Sequence, residues 1–145
     1  MQPRYNRNKG SIYSATLLYL YLGLSLFLCL IKVEAPTEKI IITFLYIPVD
    51  KWLHFLLFIP LPICIFLYRR FRDIYIEPAK FFCENLSYGV AFGLLIEVLQ
   101  GSITSYRGEN MYDLLADAIG TLAGLLIVFI FGTTIEKIVR KIIRI

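Results

Sequence analysis

The sequence predicts an all-α membrane protein: a bundle of four transmembrane helices in a single domain, residues 1–145. Three observations predict it: 58% of the residues are hydrophobic, the mean hydropathy is +0.68, and the charged residues cluster between long apolar blocks. Soluble domains of this size are closer to half apolar. A chain of this length suits one compact domain, so a separate soluble catalytic domain is not expected. Function must therefore reside in the bundle or its loops.

Each predicted span is an apolar block near the roughly 20 helical residues that cross a hydrocarbon core about 30 Å thick. The first block carries no charge, the second has His54 as its one acidic or basic residue, and the fourth is uncharged over Ala118–Ile135. The third is the weakest by hydropathy because it carries Glu84 near one end and Glu97 near the other. The four spans cover about residues 11–31, 52–68, 81–100 and 115–135.

Two segments need separate interpretation. The apolar run Ile40–Ile47 is too short to span, and both an interfacial helix and a short strand fit it. The first apolar block follows Arg4, Arg7 and Lys9, as in a secretory signal peptide. Its length exceeds the usual hydrophobic region of about 7–15 residues and no A-x-A site follows it, so a retained membrane anchor is expected.

Basic residues predict the orientation, because Lys and Arg concentrate in cytoplasmic loops. With the N-terminus inside, 4 of the 15 basic residues lie outside and the other 11 inside, so both termini are predicted to be cytoplasmic. The outer four are Lys32, Lys39, Lys51 and Arg107. Basic loops also account for the net charge of +4, and no nucleic-acid partner is expected. Cys29, Cys64 and Cys83 match no metal or redox spacing and are expected to be packing residues.

This topology brings polar residues from three spans and one loop to the outer end of the bundle. The predicted site, a candidate substrate-binding cluster, comprises Lys51, His54, Glu97, Gln100, Arg107, Asp113 and Asp117. Glu109 lies in the same loop as Arg107, and Asp50 shares a helix face with His54. Six of the site residues, all but Lys51, are expected to converge beneath the outer surface. Catalytic residues and metal ligands are not assigned.

Small residues predict which helix faces pack together. Gly89, Gly93 and Glu97 recur every four residues on span three, and on span four Gly120 and Gly124 continue the stripe of Asp113 and Asp117. Glycines at this spacing let helices approach closely in lipid. The carboxylates on the same stripes are therefore expected to point into the bundle.

Several site residues also have ordinary structural interpretations. Asp50 could cap span two, and Lys51 could extend to the head groups. Asp113 could be a first-turn acid of span four, with Asn110 as the N-cap. A lone histidine such as His54 is more often a structural hydrogen-bonding group than a ligand or a base.

Glu97 and Asp117 favour a functional interpretation. Glu97 lies near the C-terminal end of its helix, where the macrodipole disfavours negative charge, and Asp117 lies at the edge of an uncharged stretch. Ionisable residues within the membrane are costly and commonly mark functional sites. Arg107, Lys51 and His54 are the candidate partners of Glu97.

Two stretches carry a family resemblance. Span two opens with Asp50-Lys51-Trp52-Leu53-His54-Phe55, and farther along Glu97-x-x-Gln100 is followed by Arg107, Asp113, Gly120 and Gly124. In order and spacing these elements resemble the VanZ-like family of small bacterial membrane proteins. That family shows a Lys-x-x-His-Phe element, a Glu-x-x-Gln pair and an Arg…Asp…Asn…Gly run. The resemblance extends from about Asp50 to Gly132.

The chain departs from the family pattern at two places. Asp117 stands where the family usually has Asn, and the Pro-Gly that often precedes the arginine is missing. The resemblance implies a multi-pass protein of the bacterial plasma membrane and envelope. The family's namesake is linked to low-level teicoplanin resistance, which membership does not imply here, and the resemblance implies no particular reaction.

Three functions fit these observations. The first is a non-enzymatic protein whose outward-facing pocket engages a membrane lipid or a lipid-linked cell-wall precursor. A divalent cation that bridges carboxylates and phosphate would reconcile its acidic surplus with such a ligand, although no cofactor is predicted. The second is an enzyme acting on a lipid head group, with Glu97 or Asp117 and His54 as acid and base. The third is ion- or proton-coupled transport, which would require an oligomer and has only Glu84 and Asn85 as polar residues in the inner half.

Overall fold

A computed structural model describes residues 4–30, 43–44, 47–103 and 111–144. Its elements in chain order are α1 (Arg4–Leu30), β1 (Thr43–Phe44), β2 (Ile47–Pro48), α2 (Val49–Phe58), α3 (Pro60–Phe71), α4 (Pro78–Ile103) and α5 (Met111–Ile142). Helices α2 and α3 together form one apolar stretch, so four helical stretches are long and apolar enough to cross a membrane. The all-α bundle of four transmembrane helices is thus confirmed. Each stretch extends past the predicted span at one end or both, because helices continue beyond the apolar residues that define a span.

The second span is interrupted at Ile59. This residue keeps right-handed helical angles (φ −58°, ψ −44°), so the chain continues in nearly the same direction into α3. Pro60 and Pro62 lack the N–H groups that would bond the carbonyls four residues earlier, which explains the interruption. Next to it, the Tyr21 hydroxyl of α1 donates a hydrogen bond to the Leu57 carbonyl at 2.5 Å. The irregular turn is thereby tied to a neighbouring helix.

Helix α5 packs against α2, α3 and α4, and α1 covers α3 and α4. Large apolar side chains such as Phe27 on α1 and Phe129 on α5 face outward. Such a surface suits lipid, since lipid-facing positions need no polar cover. The interior contains two apolar groups, one around Phe66 and Phe81 and the other around Phe58.

Glycines create the close contacts of α5. A Cβ added at Gly93 would lie 2.6 Å from Oδ2 of Asp117, and one at Gly89 would overlap Thr121. A Cβ at Gly120 would overlap the carbonyl oxygen of Phe55, and one at Gly124 that of Ile59. The prediction that these glycines mark packing faces is confirmed. The acids on the same stripes, Glu97, Asp113 and Asp117, are buried, as expected.

A short hairpin precedes α2. Thr43 pairs with Pro48 and Phe44 with Ile47 in antiparallel register. This favours the strand alternative for Ile40–Ile47, of which residues 40–42, 45 and 46 lie outside the described chain. Pro48 occupies the N-cap position of α2 and makes no side-chain capping hydrogen bond. The capping role considered for Asp50 is therefore wrong, because Asp50 already lies in the first helical turn.

Candidate functional site

Five predicted site residues form one buried ionisable cluster, to which α2, α4 and α5 contribute. Its members are Lys51, His54, Glu97, Asp113 and Asp117. The last four are between 0% and 6% exposed, although all can carry charge. Helical periodicity explains these positions: His54 lies one turn after Asp50 on α2, and Asp117 lies one turn after Asp113 on α5.

His54 and Asp117 form a direct hydrogen bond between α2 and α5. Nδ1 of His54 lies 3.0 Å from Oδ1 of Asp117. The other oxygen, Oδ2, faces Gly93 and makes no hydrogen bond within the described residues. A side chain at position 93 would collide with it, so the glycine on α4 creates the space for this carboxylate.

Lys51 joins the two acids nearest the end of the bundle. Its Nζ forms an ion pair with Asp113 and lies 2.7 Å from Oδ2 of Asp50. The Lys51 side chain is only 13% exposed. The side chain therefore turns toward these two carboxylates and does not extend away from the bundle.

Glu97 approaches the same point from α4. One potential ligand atom from each of His54, Glu97 and Asp113 lies within 4.8 Å of the other two. Among the candidate partners of Glu97, His54 is therefore close by. Carboxylates from two helices and an imidazole from a third thus converge inside the membrane-spanning region.

The remaining two predicted site residues differ from the five. Gln100 is buried, and its Nε2 donates a hydrogen bond to the Cys29 carbonyl at 2.8 Å, which joins α4 to α1. Arg107 lies outside the described residues, as do Glu109 and Asn110. Convergence is thus found for His54, Glu97, Asp113 and Asp117, together with Lys51.

A second set of ion pairs at the opposite end was missed from the sequence. Glu136 accepts from Arg70 of α3 at 2.7 Å and from Arg140 at 2.9 Å, and Arg69 pairs with Glu84. Glu136 was not predicted to form an ion pair because it follows the predicted end of span four. Its spacing of four from Arg140 was the available signal. The prediction that Glu84 and Asn85 are the only polar residues of the inner half is therefore wrong.

Charge in the first cluster is unbalanced. Within the described residues, three buried carboxylates, Glu97, Asp113 and Asp117, face one ammonium, that of Lys51, and one imidazole. Buried charges are tolerated only when paired, since removing an ion from water costs several kcal/mol (order of magnitude). The arrangement therefore suits a cation or a proton-exchanging group better than a free anion.

The comparisons with known proteins found no match to this chain. No protein-family model matches this chain. No curated protein and no solved structure is significantly similar to it. The family resemblance consequently depends on the sequence elements between Asp50 and Gly124 alone.

Proposed function

We propose that this chain is a VanZ-like integral membrane protein of the bacterial plasma membrane that binds a phosphate-bearing head group. The head group belongs to a membrane lipid or to a lipid-linked cell-wall precursor. The site is the mouth of the bundle at Lys51, and Arg107, which lies between α4 and α5 in the sequence, contributes a second positive charge. A divalent cation links the acids of the cluster to the phosphate.

The observation that carries this proposal is the burial of the cluster inside a membrane-spanning bundle. Interactions among apolar side chains and glycines already hold α5 against its neighbours. Buried ionisable groups add a cost that packing does not require, and in membrane proteins such groups usually serve binding or transport. Lys51 and Asp113 lie near the ends of their helices, where a head group can reach them.

The orientation follows from the basic residues. Arg69, Arg70, Arg140 and Lys141 all lie near the ends of α3 and α5 remote from Lys51. The positive-inside rule then directs the cluster outward and both termini to the cytoplasm. A reporter that fluoresces only in the cytoplasm, fused after Ile145, should be active, whereas the same reporter inserted after Arg107 should be silent. The reverse pattern would overturn the orientation.

Lipid binding can be tested on the purified full chain by native mass spectrometry. Vesicle lipids with phosphate head groups should bind to the wild type and be retained at least about tenfold less by Lys51→Met and Arg107→Ala, because each removes a charge-assisted contact. Lys137→Ala, which removes an exposed lysine at the other end, is the matched control. Equal lipid retention by all four proteins would refute the proposal.

The hydrogen bond between His54 and Asp117 favours an enzyme as the second candidate. A carboxylate that orients an imidazole is the arrangement used by general bases, and Glu97 would be a nearby acid. A lipid labelled in its head group should then be converted by the wild type and not by His54→Ala. Unchanged label after prolonged incubation with folded wild type would exclude this candidate.

A further inference from the structure

We propose that His54, Glu97 and Asp113 coordinate one divalent transition-metal ion, Zn²⁺ or Mn²⁺, and that Asp117 orients the histidine. The inference deepens the proposed function and depends on it for the role of the ion. Metal binding itself can be measured without lipid. The ion site lies where α2, α4 and α5 meet.

Distances support this ligand set. One ligand atom from each residue lies within 4.8 Å of the others. Three ligands that are each about 2.0–2.2 Å from one zinc ion lie about 3.3–3.8 Å from one another. Side-chain rotations that move the three ligand atoms by about 1 Å would therefore bring them onto one ion.

The contact between His54 and Asp117 also fits a metal site. A metal-bound histidine nearly always donates its other ring N–H to a carboxylate or carbonyl, which fixes the tautomer and the ring orientation. Asp117 lies 3.0 Å from Nδ1, so Nε2 is the nitrogen that would coordinate. Asp117 is completely buried, and a carboxylate there is costly unless it serves such a partner.

Charge balance points to the same conclusion. Three buried carboxylates and Asp50 share the Lys51 ammonium when His54 is neutral, as a ligand must be, so negative charge is in excess among these residues. A divalent cation reduces this excess. Lys51 then serves as the counter-ion of Asp113, and this pair accounts for its turn into the bundle.

The kinds of ligand atom in the site indicate which metal ions would bind. Mg²⁺ and Ca²⁺ prefer oxygen ligands alone, whereas imidazole suits zinc and other first-row transition metals. Three protein ligands also leave a coordination position open, as in catalytic zinc sites. A phosphate oxygen of a head group would occupy that position, and this connects the ion to the proposed function.

The test uses the full chain in detergent, treated with a chelator and then titrated with ZnCl₂, MnCl₂ or MgCl₂ in a calorimeter. Zinc or manganese should bind at about one ion per chain and magnesium much more weakly. His54→Ala and the near-isosteric Glu97→Gln and Asp113→Asn should each weaken binding at least about tenfold, and Asp117→Asn by about 10–100-fold. Glu84→Gln and Glu136→Gln, at the other end, are controls that should bind like the wild type.

Substitution with Co²⁺ provides a readout that a purely structural role would not change. The visible absorption of bound cobalt should appear with the wild type and change shape with Asp117→Asn, while circular dichroism shows that both proteins are folded. No stoichiometric binding by folded wild type would overturn the inference, and so would binding that His54→Ala leaves intact. Binding that appears only after Arg107→Ala would also overturn it, since the arginine would then supply the charge.

The outcomes also separate the two proposals. Metal binding without lipid retention leaves this inference standing and refutes the proposed function. Lipid retention by a protein that binds no metal in the titration refutes this inference and leaves head-group binding by the basic residues in place.

Discussion

Nδ1 of His54 and Oδ1 of Asp117 lie 3.0 Å apart across the interface of α2 and α5, and both side chains are buried. The contact joins residues that are 63 positions apart in the chain. It fixes the imidazole ring close to Glu97 and Asp113, because Gly93 on α4 leaves room for the Asp117 carboxylate. The electrostatics of the cluster therefore depend on a packing feature of the third helix.

Two substitutions at Asp117 should distinguish the contribution of its hydrogen bond to stability from the contribution of its charge. Asp117→Ala leaves a buried ring nitrogen of His54 without its partner, which costs roughly 1–3 kcal/mol of unfolding free energy. Asp117→Asn, the residue usual in the resembling family, retains a hydrogen-bonding group and should cost clearly less. Thermal unfolding followed by circular dichroism in detergent will distinguish them. Equal midpoints for the two variants would contradict the expectation.

Gly124 should tolerate no side chain. A Cβ there would overlap the Ile59 carbonyl oxygen and lie 2.6 Å from Cγ of Pro62, and the carbonyl oxygen cannot move without the backbone. Gly124→Ala should therefore cost about 1–3 kcal/mol, as overpacking does. Gly23→Ala is the matched control, since its Cβ would meet nothing within 4 Å. The helix propensity of alanine should make that control neutral or slightly stabilising, by up to about 1 kcal/mol. Equal unfolding midpoints for both variants would show that the close approach is unimportant.

The ion pair of Arg70 and Glu136 should contribute measurable coupling between α3 and α5. A double-mutant cycle with Arg70→Ala and Glu136→Ala should give a coupling energy of at least about 0.5 kcal/mol, because Glu136 is mostly buried and bonded at 2.7 Å. Lys80 and Glu84 provide the control cycle. Their 3.9 Å separation and the exposed lysine predict a coupling near zero. Comparable couplings in the two cycles would argue against a special role for Glu136.

The Tyr21 hydroxyl should stabilise the interrupted second span. Tyr21→Phe removes its hydrogen bond to the Leu57 carbonyl and should cost about 0.5–1.5 kcal/mol. Tyr19→Phe makes the same chemical change on an outward-facing side chain that is 67% exposed. The difference in unfolding midpoint between the variants measures the bond. If Tyr19→Phe proved the more damaging change, the assigned role of Tyr21 would be wrong.

The helices could be predicted because the bilayer imposes a simple rule on the sequence. Uncharged stretches of about 20 residues form helices in lipid, where every backbone polar group must be satisfied within the chain. The break at Ile59 and the length of α5 were harder to predict from the sequence. Pro60 and Pro62 are visible in the sequence, but whether a proline bends or merely interrupts a helix depends on neighbours such as Tyr21.

Helical periodicity predicted some of the residues that belong to the site. Spacings of three and four placed Asp113, Asp117, Gly120 and Gly124 on one face, and α5 does present that face to its neighbours. Periodicity says nothing about which residue a side chain contacts on another helix. The pairing of Lys51 with Asp113, and the turn of Gln100 toward Cys29, both depend on such contacts.

The sequence by itself determined that this chain crosses a membrane four times by helices and that its ionisable residues occur at the span ends and on glycine-lined faces. Those properties follow from local composition and from a fixed period of 3.6 residues. Only the tertiary structure decided that Lys51 pairs with Asp113, that His54 meets Asp117, and that Glu97 joins them. The physical reason is distance: charge and hydrogen-bond energies depend on separations of a few ångströms, and packing between helices sets these separations. The cluster at the mouth of the bundle is therefore a product of the way α5 packs against α2 and α4.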